Sequence, residues 1–381
     1  MKTSELNPFP VTTYISSNYF CNRELELKIL LKNSQNGLHT SLFAQRRIGK
    51  TGLIKHFFNQ ISTKKETKCL YIDIFSTQNQ AEFTKELSNE IFQLFPPNKS
   101  IGRKFMEAIQ SFRPVLSYDS LSGAPELSLD IADDKTKEKS IQDIFRFLDS
   151  QHTPLVIAID EFQQITEYPE KNTEALLRSI MQQMQNITFV FCGSNLRLMT
   201  ELFNNTKRPF YASCQSMYLG KIAETEYATF IKRHFEHAKR GITDESISFI
   251  LDWTCRHTYY TQYLCNQVFA SGVTQIDLAH TQHVCKAILD QEQMVFFQYK
   301  KLLTADQWNL LIAVAKEQKI TQPYANSFIS KYRLKSSANV KRSLESLLEK
   351  EMIYSETTAE ETYFEVYDKF LMRFLQRTTI R

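Results

Sequence analysis

Glycine and proline are scarce in this chain, 9 and 10 among 381 residues. That scarcity argues against collagen-like, low-complexity and loop-rich all-β architectures and for many helices. Long apolar runs are missing as well. Purely aliphatic stretches such as residues 155–159 are far below the roughly 18 residues that a membrane span needs. The N-terminal MKTSELNPFPVTT has no apolar signal core, so the expected location is cytoplasmic, with no membrane partner. The seven cysteines, Cys21, Cys69, Cys192, Cys214, Cys255, Cys265 and Cys285, include no C-x-x-C pair and no Cys/His cluster at zinc spacing. Reduced thiols fit that scatter better than a disulfide framework. A net charge of +4 is too small for its sign alone to imply nucleic acid. What the chain does have is 42% hydrophobic and 12% aromatic residues, enough for a sizeable core, and a length that suggests two to three domains.

The order of apolar patterns gives the expected layout. Residues 24–31 read as a short amphipathic helix, 40–44 as a strand, and a loop leads to a helix beginning near Lys50. Strands at 69–74, 155–159 and 187–192 alternate with helices at 81–95, 141–148 and 173–185. Such alternation calls for a parallel sheet with right-handed crossovers. Residues 114–131 differ: alternating side chains flank Ser122-Gly123, the mark of an inserted β-hairpin. After Ile222 the strand signal stops, and helical spacing covers 224–238, 244–255, 259–268 and 281–303. Helices at 305–317, 324–332 and 338–350, then strands at 352–355 and 363–366 joined by the acidic turn 356–361, make a winged-helix layout. The expected fold class is therefore α/β: a P-loop NTPase parallel sheet with an inserted hairpin over 1–221, a helical lid domain over 222–303, and a C-terminal winged-helix domain over 304–381.

The sharpest motif is Ala44-Gln45-Arg46-Arg47-Ile48-Gly49-Lys50-Thr51, followed by Gly52. It lies between an apolar strand and a helix, the context of a phosphate loop. Backbone N–H groups there can cradle an anion, and the helix start adds partial positive charge. Lys50 is expected to reach the β- and γ-phosphates of ATP, Thr51 to hold Mg2+ through its hydroxyl, and Gly49 to let the backbone close in. The motif wants glycine where Ala44 stands; if that position needs positive φ, alanine costs on the order of 1 kcal/mol.

The second half of the site is Leu155-Val156-Ile157-Ala158-Ile159-Asp160-Glu161, expected on a strand neighbouring the phosphate-loop strand. Two carboxylates at the end of a buried strand place charge at the sheet's C-terminal edge, where α/β ligands bind. Asp160 is the expected Mg2+ ligand. Glu161 is the expected group that polarises water for attack on the γ-phosphate. Further on, Gly193-Ser194-Asn195 follows a strand, and Asn195 or Ser194 can sense the γ-phosphate; Asn195 is the one taken as catalytic, with Glu161 and Lys50. Arg197 and Arg208 are candidates for positive charge near the transition state.

Taken together, the chain resembles the AAA+-related STAND P-loop ATPases, and within them the archaeal-type ATPase family with bacterial relatives. Tyr19-Phe20-Cys21-Asn22-Arg23-Glu24-Leu25 is similar to an F-x-G-R-E-x-E-L motif; the resemblance implies that Phe20 and Arg23 contact adenine. Gln45, Arg46, Arg47, Ile48, Gly49, Lys50 and Thr51 match an R-R-x-G-K-T loop, and Asp160-Glu161 a D-E-x-Q segment. Cys192-Gly193-Ser194-Asn195-Leu196-Arg197-Leu198-Met199 resembles a G-S-x-x-x-x-M strand end. Arg208-Pro209-Phe210-Tyr211 resembles P-L-Y-G-R, with Ala212-Ser213 in place of Gly-Arg. His257-Thr258-Tyr259-Tyr260-Thr261-Gln262 resembles G-H-P-Y-Y-x-Q in a lid, which implies that His257 reaches the nucleotide.

Two functions compete at this point. In the first, ATP and Mg2+ bind, hydrolysis to ADP is slow, and the bound state positions the winged helix for a protein partner or for self-association. In the second, the winged helix binds duplex DNA, as in origin-recognition ATPases. Residues 331–350 carry six basic side chains (Lys331, Arg333, Lys335, Lys341, Arg342, Lys350) against Glu345 and Glu349, whereas residues 351–361 carry four glutamates and no base. An acidic wing repels backbone phosphates, which favours the first function.

Overall fold

The computed structural model describes residues 7–64, 67–96, 99–110, 114–118, 125–128, 134–357 and 361–378. Contacts divide the chain into two compact units: Thr13–Lys221, and Ile222–Arg381 together with Met1–Thr12.

The first unit runs α1 (Glu24–Gln35), β1 (Thr40–Ala44), α2 (Lys50–Lys64), β2 (Lys68–Asp73), α3 (Gln80–Leu94), α4 (Ser100–Ala108), β3 (Val115–Tyr118), β4 (Pro125–Ser128) and α5 (Asp134–Asp149). It continues with β5 (Leu155–Asp160), α6 (Thr173–Gln183), β6 (Ile187–Gly193), α7 (Leu196–Asn204) and β7 (Gln215–Leu219). Five strands form a parallel sheet in the order β2-β5-β6-β1-β7. The expected adjacency of the phosphate-loop strand β1 and the acidic strand β5 is corrected here: β6 pairs with both and lies between them. β6 is buried at every residue, so burial on both faces puts it in the middle of the sheet.

Alternation along the strands builds three layers. Leu42, Val156, Ala158, Val190, Cys192, Met217 and Leu219 face one side with Leu53, Ile54 and Phe57 of α2 and Leu30 of α1. Phe43, Ile157, Ile159, Phe189 and Phe191 face the other, against Phe83 and Leu87 of α3, Ile144 of α5 and Ile180 of α6. β3 and β4 pair antiparallel, Val115 opposite Ser128; the Ser122-Gly123 turn lies outside the described residues. Strand β7 carried no clear sequence signal, because it is an edge strand with exposed Gln215, Ser216 and Tyr218.

The second unit contains α8 (Glu224–His237), β8 (Gly241–Ile242), α9 (Asp244–Trp253), α10 (Thr258–Ala270), β9 (Gln275–Ile276) and α11 (Leu278–Lys301). There follow α12 (Ala305–Glu317), α13 (Asn326–Lys331), α14 (Ser337–Glu349), β10 (Ile353–Thr357), β11 (Thr362–Val366) and α15 (Lys369–Gln376). Thr304 and Gln307 form a capping box on α12, satisfying two helix-start donors reciprocally. β10 and β11 pair antiparallel, and Ile320 bridges to Phe364 as a short third strand. Together with α12, α13 and α14 this is a winged helix; residues 358–360 of its acidic turn lie outside the described residues.

Helix α15 was not anticipated from the sequence. It ties the winged helix to the preceding helices: Arg373 donates from Nε to the Trp253 carbonyl at 2.8 Å and from a terminal nitrogen to the Asp252 carbonyl at 2.7 Å. Phe370 packs against Trp253, Tyr260 and Tyr263. The N-terminal segment belongs to the same unit through a reciprocal amide pair. Asn7 donates to the Asn266 carbonyl at 3.0 Å and Asn266 to the Phe9 carbonyl at 2.9 Å, with the Phe9 ring buried against Phe235, His234 and Phe269. Among the described residues no helix is long and apolar enough to cross a membrane.

Half-buried His39 makes the first unit's stability depend on pH. His39 Nδ1 accepts the Phe189 N–H at 3.1 Å, and burial, helped by the nearby Arg178 charge, lowers its pKa from 6.5 to about 4. The neutral ring is the form the fold uses, so between those values the unfolded chain binds the extra proton. Stability is expected to be full above pH 6.5 and to fall as pH drops through about 4. Denaturation midpoints across that range should show it, and the fall should be shallower in His39→Gln, which keeps an acceptor but cannot protonate.

Candidate functional site

The loop between β1 and α2 brings the phosphate-loop residues to the C-terminal edge of the sheet. Ala44 ends β1 in extended backbone with its methyl in the core, so the cost expected for alanine at this position does not arise. The left-handed positions are Arg47 (φ 61°) and Gly49 (φ 100°). The chain thus turns twice within three residues, with the Ile48 N–H bonded to the Gln45 carbonyl at 3.4 Å; reversals of this kind are found in anion nests. Helix α2 starts at Lys50 and runs 15 residues, so its positive end faces the same place. Gln45 is half-buried, Ile48 is buried, and Arg46 and Arg47 are exposed; the Arg46 guanidinium lies 6.0 Å from the centroid of Phe75.

Lys50 and Thr51 meet the acid pair. Lys50 is only 6% exposed and Asp160 2%. The Lys50 ammonium is ion-paired with Asp160 Oδ1 and lies 3.1 Å from Glu161 Oε1. Thr51 Oγ1 donates to Asp160 Oδ2 at 3.1 Å. Tyr71, on β2, donates to the same oxygen at 2.6 Å, and the Glu161 N–H donates to Asp160 Oδ1 at 2.9 Å. Burying a carboxylate is costly unless its lone pairs are filled; here each Asp160 oxygen has two donors. Glu161 sits in left-handed backbone (φ 54°). That turn swings its side chain back over the sheet edge, where Oε2 accepts from Gln163 Nε2 at 2.6 Å, Ser194 Oγ at 2.7 Å and Ser194 N–H at 3.3 Å. Gly193 leaves room for its neighbours: a Cβ there would lie 2.3 Å from Gln163 Oε1 and 2.5 Å from Met199 Sδ, so both side chains would have to move.

Charge states follow from these contacts. Burial alone would lower the Lys50 pKa, but the Asp160 and Glu161 carboxylates raise it above the usual lysine value. Burial pushes Glu161 up; Lys50, Gln163 and Ser194 outweigh it and hold the carboxyl below its ordinary value. Asp73, which pairs in register with Asp160, is raised by burial and then by its two acidic neighbours, against the pull of the Phe75 N–H and Lys50. Burial first, then Asp160, keeps the Tyr71 phenol protonated far above neutrality.

The remaining expected site residues fall in different places. Asn195 caps α7, its Oδ1 accepting from Leu198 N–H at 3.1 Å; of the pair it is Ser194 that touches Glu161. Arg23, 5% exposed, donates to the Ile48 carbonyl at 3.3 Å and pairs with Glu26 at 3.0 Å, so it braces the phosphate loop from below. Phe20 stacks on His56 at 4.5 Å and lies 3.4 Å from where a Cβ on Gly52 would be; Tyr14 bonds His56 Nδ1 at 2.9 Å. His257 lies in the other compact unit, buried at the start of α10 with its ring against Tyr260. Arg197 is exposed, and Arg208 is paired with Glu174 at 2.9 Å. Sequence reasoning missed Tyr71 and Gln163. Tyr71 had one legible signal, its place two residues before Asp73 in a strand, but the Asp160 that gives it meaning is 89 residues away.

The profile of a family described as ATPase domain predominantly from Archaea matches residues 20–255, and that of a probable winged helix domain matches residues 294–377. No curated protein matches. Among solved structures, a Walker-type ATPase of Pyrococcus abyssi is 17% identical with a TM-score of 0.66, covering 97% of this chain and 99% of that one. The ORC2 protein of Aeropyrum pernix, in ADPNP–ADP complexes, is 13% identical with a TM-score of 0.57, covering 97% and 95%. The ORC1 protein of the same organism, in complex with DNA, is 12% identical with a TM-score of 0.50, covering 94% and 92%. At these identities the likeness is one of fold.

The loop geometry separates two glycine substitutions. Arg47→Gly should raise stability by up to about 1 kcal/mol, because a left-handed Cβ is relieved. Ala44→Gly should lower it by about 0.5–1 kcal/mol, because a buried strand loses a side chain and gains unfolded-state entropy. Denaturant midpoints of the two variants check the contrast.

Proposed function

This chain belongs to the family of ATPase domains found predominantly in Archaea, and we propose that it binds ATP with Mg2+ at the β1–α2 loop and hydrolyses it slowly to switch a lid and winged helix. One observation carries the reading. Lys50 and Thr51, at the start of α2, are within 3.1 Å of Glu161 and Asp160, more than 100 residues further along the chain. A cation, a hydroxyl and two carboxylates converging at a helix N-terminus suit a metal-bound polyphosphate.

The donors fit Mg2+. A threonine hydroxyl and an aspartate are hard oxygen ligands, and among the described residues no cluster of three or more His, Cys, Asp or Glu forms an all-protein cage. Mg2+ characteristically takes one or two such ligands and completes its shell with phosphate and water. Thr51 and Asp160 would hold it, and bound there it would neutralise charge on the β- and γ-phosphate oxygens. Lys50 would pair with the same phosphates, and the N–H groups from Arg46 to Thr51 would cradle them. Glu161 would align water for in-line attack, with Ser194 and Gln163 holding its carboxylate. A glutamate already bonded by these groups and kept acidic is a weak base, which supports slow turnover.

The switch would pass from the core (1–221) to a lid (222–303) and a winged helix (304–381). His257, Phe20 and Arg23 are proposed on the nucleotide side of this arrangement, and Asn195 beside Ser194 at the γ-phosphate. The module at 304–381 would meet a protein partner or a second copy. Of the six basic residues in 331–350, Lys331 is paired with Glu317 at 2.6 Å and Lys335 with Asp306 at 2.8 Å.

A second reading rests on Lys341 and Arg342, both exposed on α14: the helix would lie in a major groove of DNA. A duplex band shift that weakens with salt and disappears in Lys341→Glu/Arg342→Glu would favour it; no shift at low salt would remove it. For the main reading, Lys50→Ala should abolish ATP binding in a calorimetric titration, and wild-type affinity in that variant would refute it. Glu161→Gln should still bind ATP while turnover falls by about 10²-fold or more.

A further inference from the structure

We propose that Tyr71 is a positioning residue for the metal: its hydroxyl fixes the Asp160 carboxylate that, with Thr51, would hold Mg2+. The inference rests on the Mg·ATP reading above and deepens it.

The strand register makes the contact possible. Tyr71 on β2 pairs with Ala158, and Asp73 with Asp160. Tyr71 is therefore on the same face of the sheet as Asp160 and one diagonal step from it, a separation that a long aromatic side chain spans. That face is the one covered by α2, and Lys55 of α2 lies 5.9 Å from the Tyr71 ring centroid. The ring is thus held between the sheet and the helix that carries Thr51. From there its hydroxyl meets Asp160 Oδ2 at 2.6 Å, while Thr51 Oγ1 donates to that oxygen at 3.1 Å.

Two hydroxyls on one carboxylate oxygen do different things. Each has a single hydrogen. Thr51 gives its hydrogen to Asp160, which leaves its lone pairs for a cation. Tyr71 gives its hydrogen to Asp160 from the neighbouring strand, and its oxygen also lies against the Thr51 hydroxyl. Without it, Oδ2 keeps one donor, and rotation of the carboxylate about its last bond is opposed only by Thr51 on that side. Groups that orient a metal ligand from behind commonly set affinity by 10–100-fold.

The test uses the full chain as wild type, Tyr71→Phe, Asp160→Asn and the double variant. ATP affinity is measured by calorimetry in EDTA and across a Mg2+ series, and each protein is melted without ligand. Tyr71→Phe is expected to keep ATP affinity in EDTA within about twofold and to raise the Mg2+ concentration for half-maximal stabilisation of ATP binding about tenfold. In the Asp160→Asn background the same substitution should add nothing. The proposal is overturned by an unchanged Mg2+ midpoint, by an equal loss in EDTA, or by an equal shift without Asp160. A Tyr71→Phe chain that does not fold also overturns it, since the ring's packing is retained and only the hydroxyl is lost. Wild-type binding that ignores Mg2+ would instead remove the parent reading, and this inference with it.

Discussion

The pairing of one lysine with two carboxylates is the constraint around which the first unit is arranged. Lys50, Asp160 and Glu161 are all largely withdrawn from water, and a buried charge is tolerated only when its partners are in place. Strands β1 and β5 are not adjacent; with β6 between them they stand about 9–10 Å apart, two strand spacings. The gap is closed from both sides. Helix α2 begins immediately after the loop, so Lys50 reaches across the top of β6, and the left-handed turn at Glu161 folds its carboxylate back toward the lysine. β6 ends in Cys192 and Gly193, small enough to let both pass above it.

That arrangement divides the work between the two acids. Asp160 is enclosed and receives hydrogen bonds from Thr51, Tyr71 and its own neighbour's N–H, besides the lysine. Its orientation is therefore over-determined. Glu161 is less buried, and its second oxygen is held by the side chains of Gln163 and Ser194. Those are single hydrogen bonds of modest net strength, on the order of 1–3 kcal/mol each when one partner is charged. Such bonds can be exchanged for bonds to a ligand or water at small net cost, whereas opening the Asp160 cluster strands a buried charge unless another cation takes the place of the donor that leaves.

The second unit shows a different economy of contacts. Its winged helix is joined to the preceding helices by α15, while the N-terminal Phe9 packs on α8 and α10. Arg373 occupies carbonyls at the end of α9, where a helix leaves acceptors unpaired, so a single guanidinium both caps one element and anchors another. A winged helix held in this way is attached by specific polar bonds as well as by apolar area.

Much of this was legible in the residues themselves. Phosphate-loop chemistry, the apolar strand ending in two acids, and the switch from an α/β pattern to helices and then a winged helix are local patterns, and local patterns survive in a one-dimensional string. Ala44, Asn195 and Tyr71 mark where that ends. The backbone at Ala44 turned out extended because the loop's reversals fall at Arg47 and Gly49, a choice made by the path of the loop and not by residue type. Asn195 and Ser194 are equivalent by composition, and only the start of α7 decides that one caps the helix while the other meets Glu161. The order of the sheet, the partner of Tyr71 and the docking of α15 and Phe9 all depend on residues well separated in the chain, 89 positions for Tyr71 and Asp160 and 257 for Phe9 and Asn266. Their pairing is set by which faces are buried together, and no stretch of sequence contains that information until the chain has closed on itself.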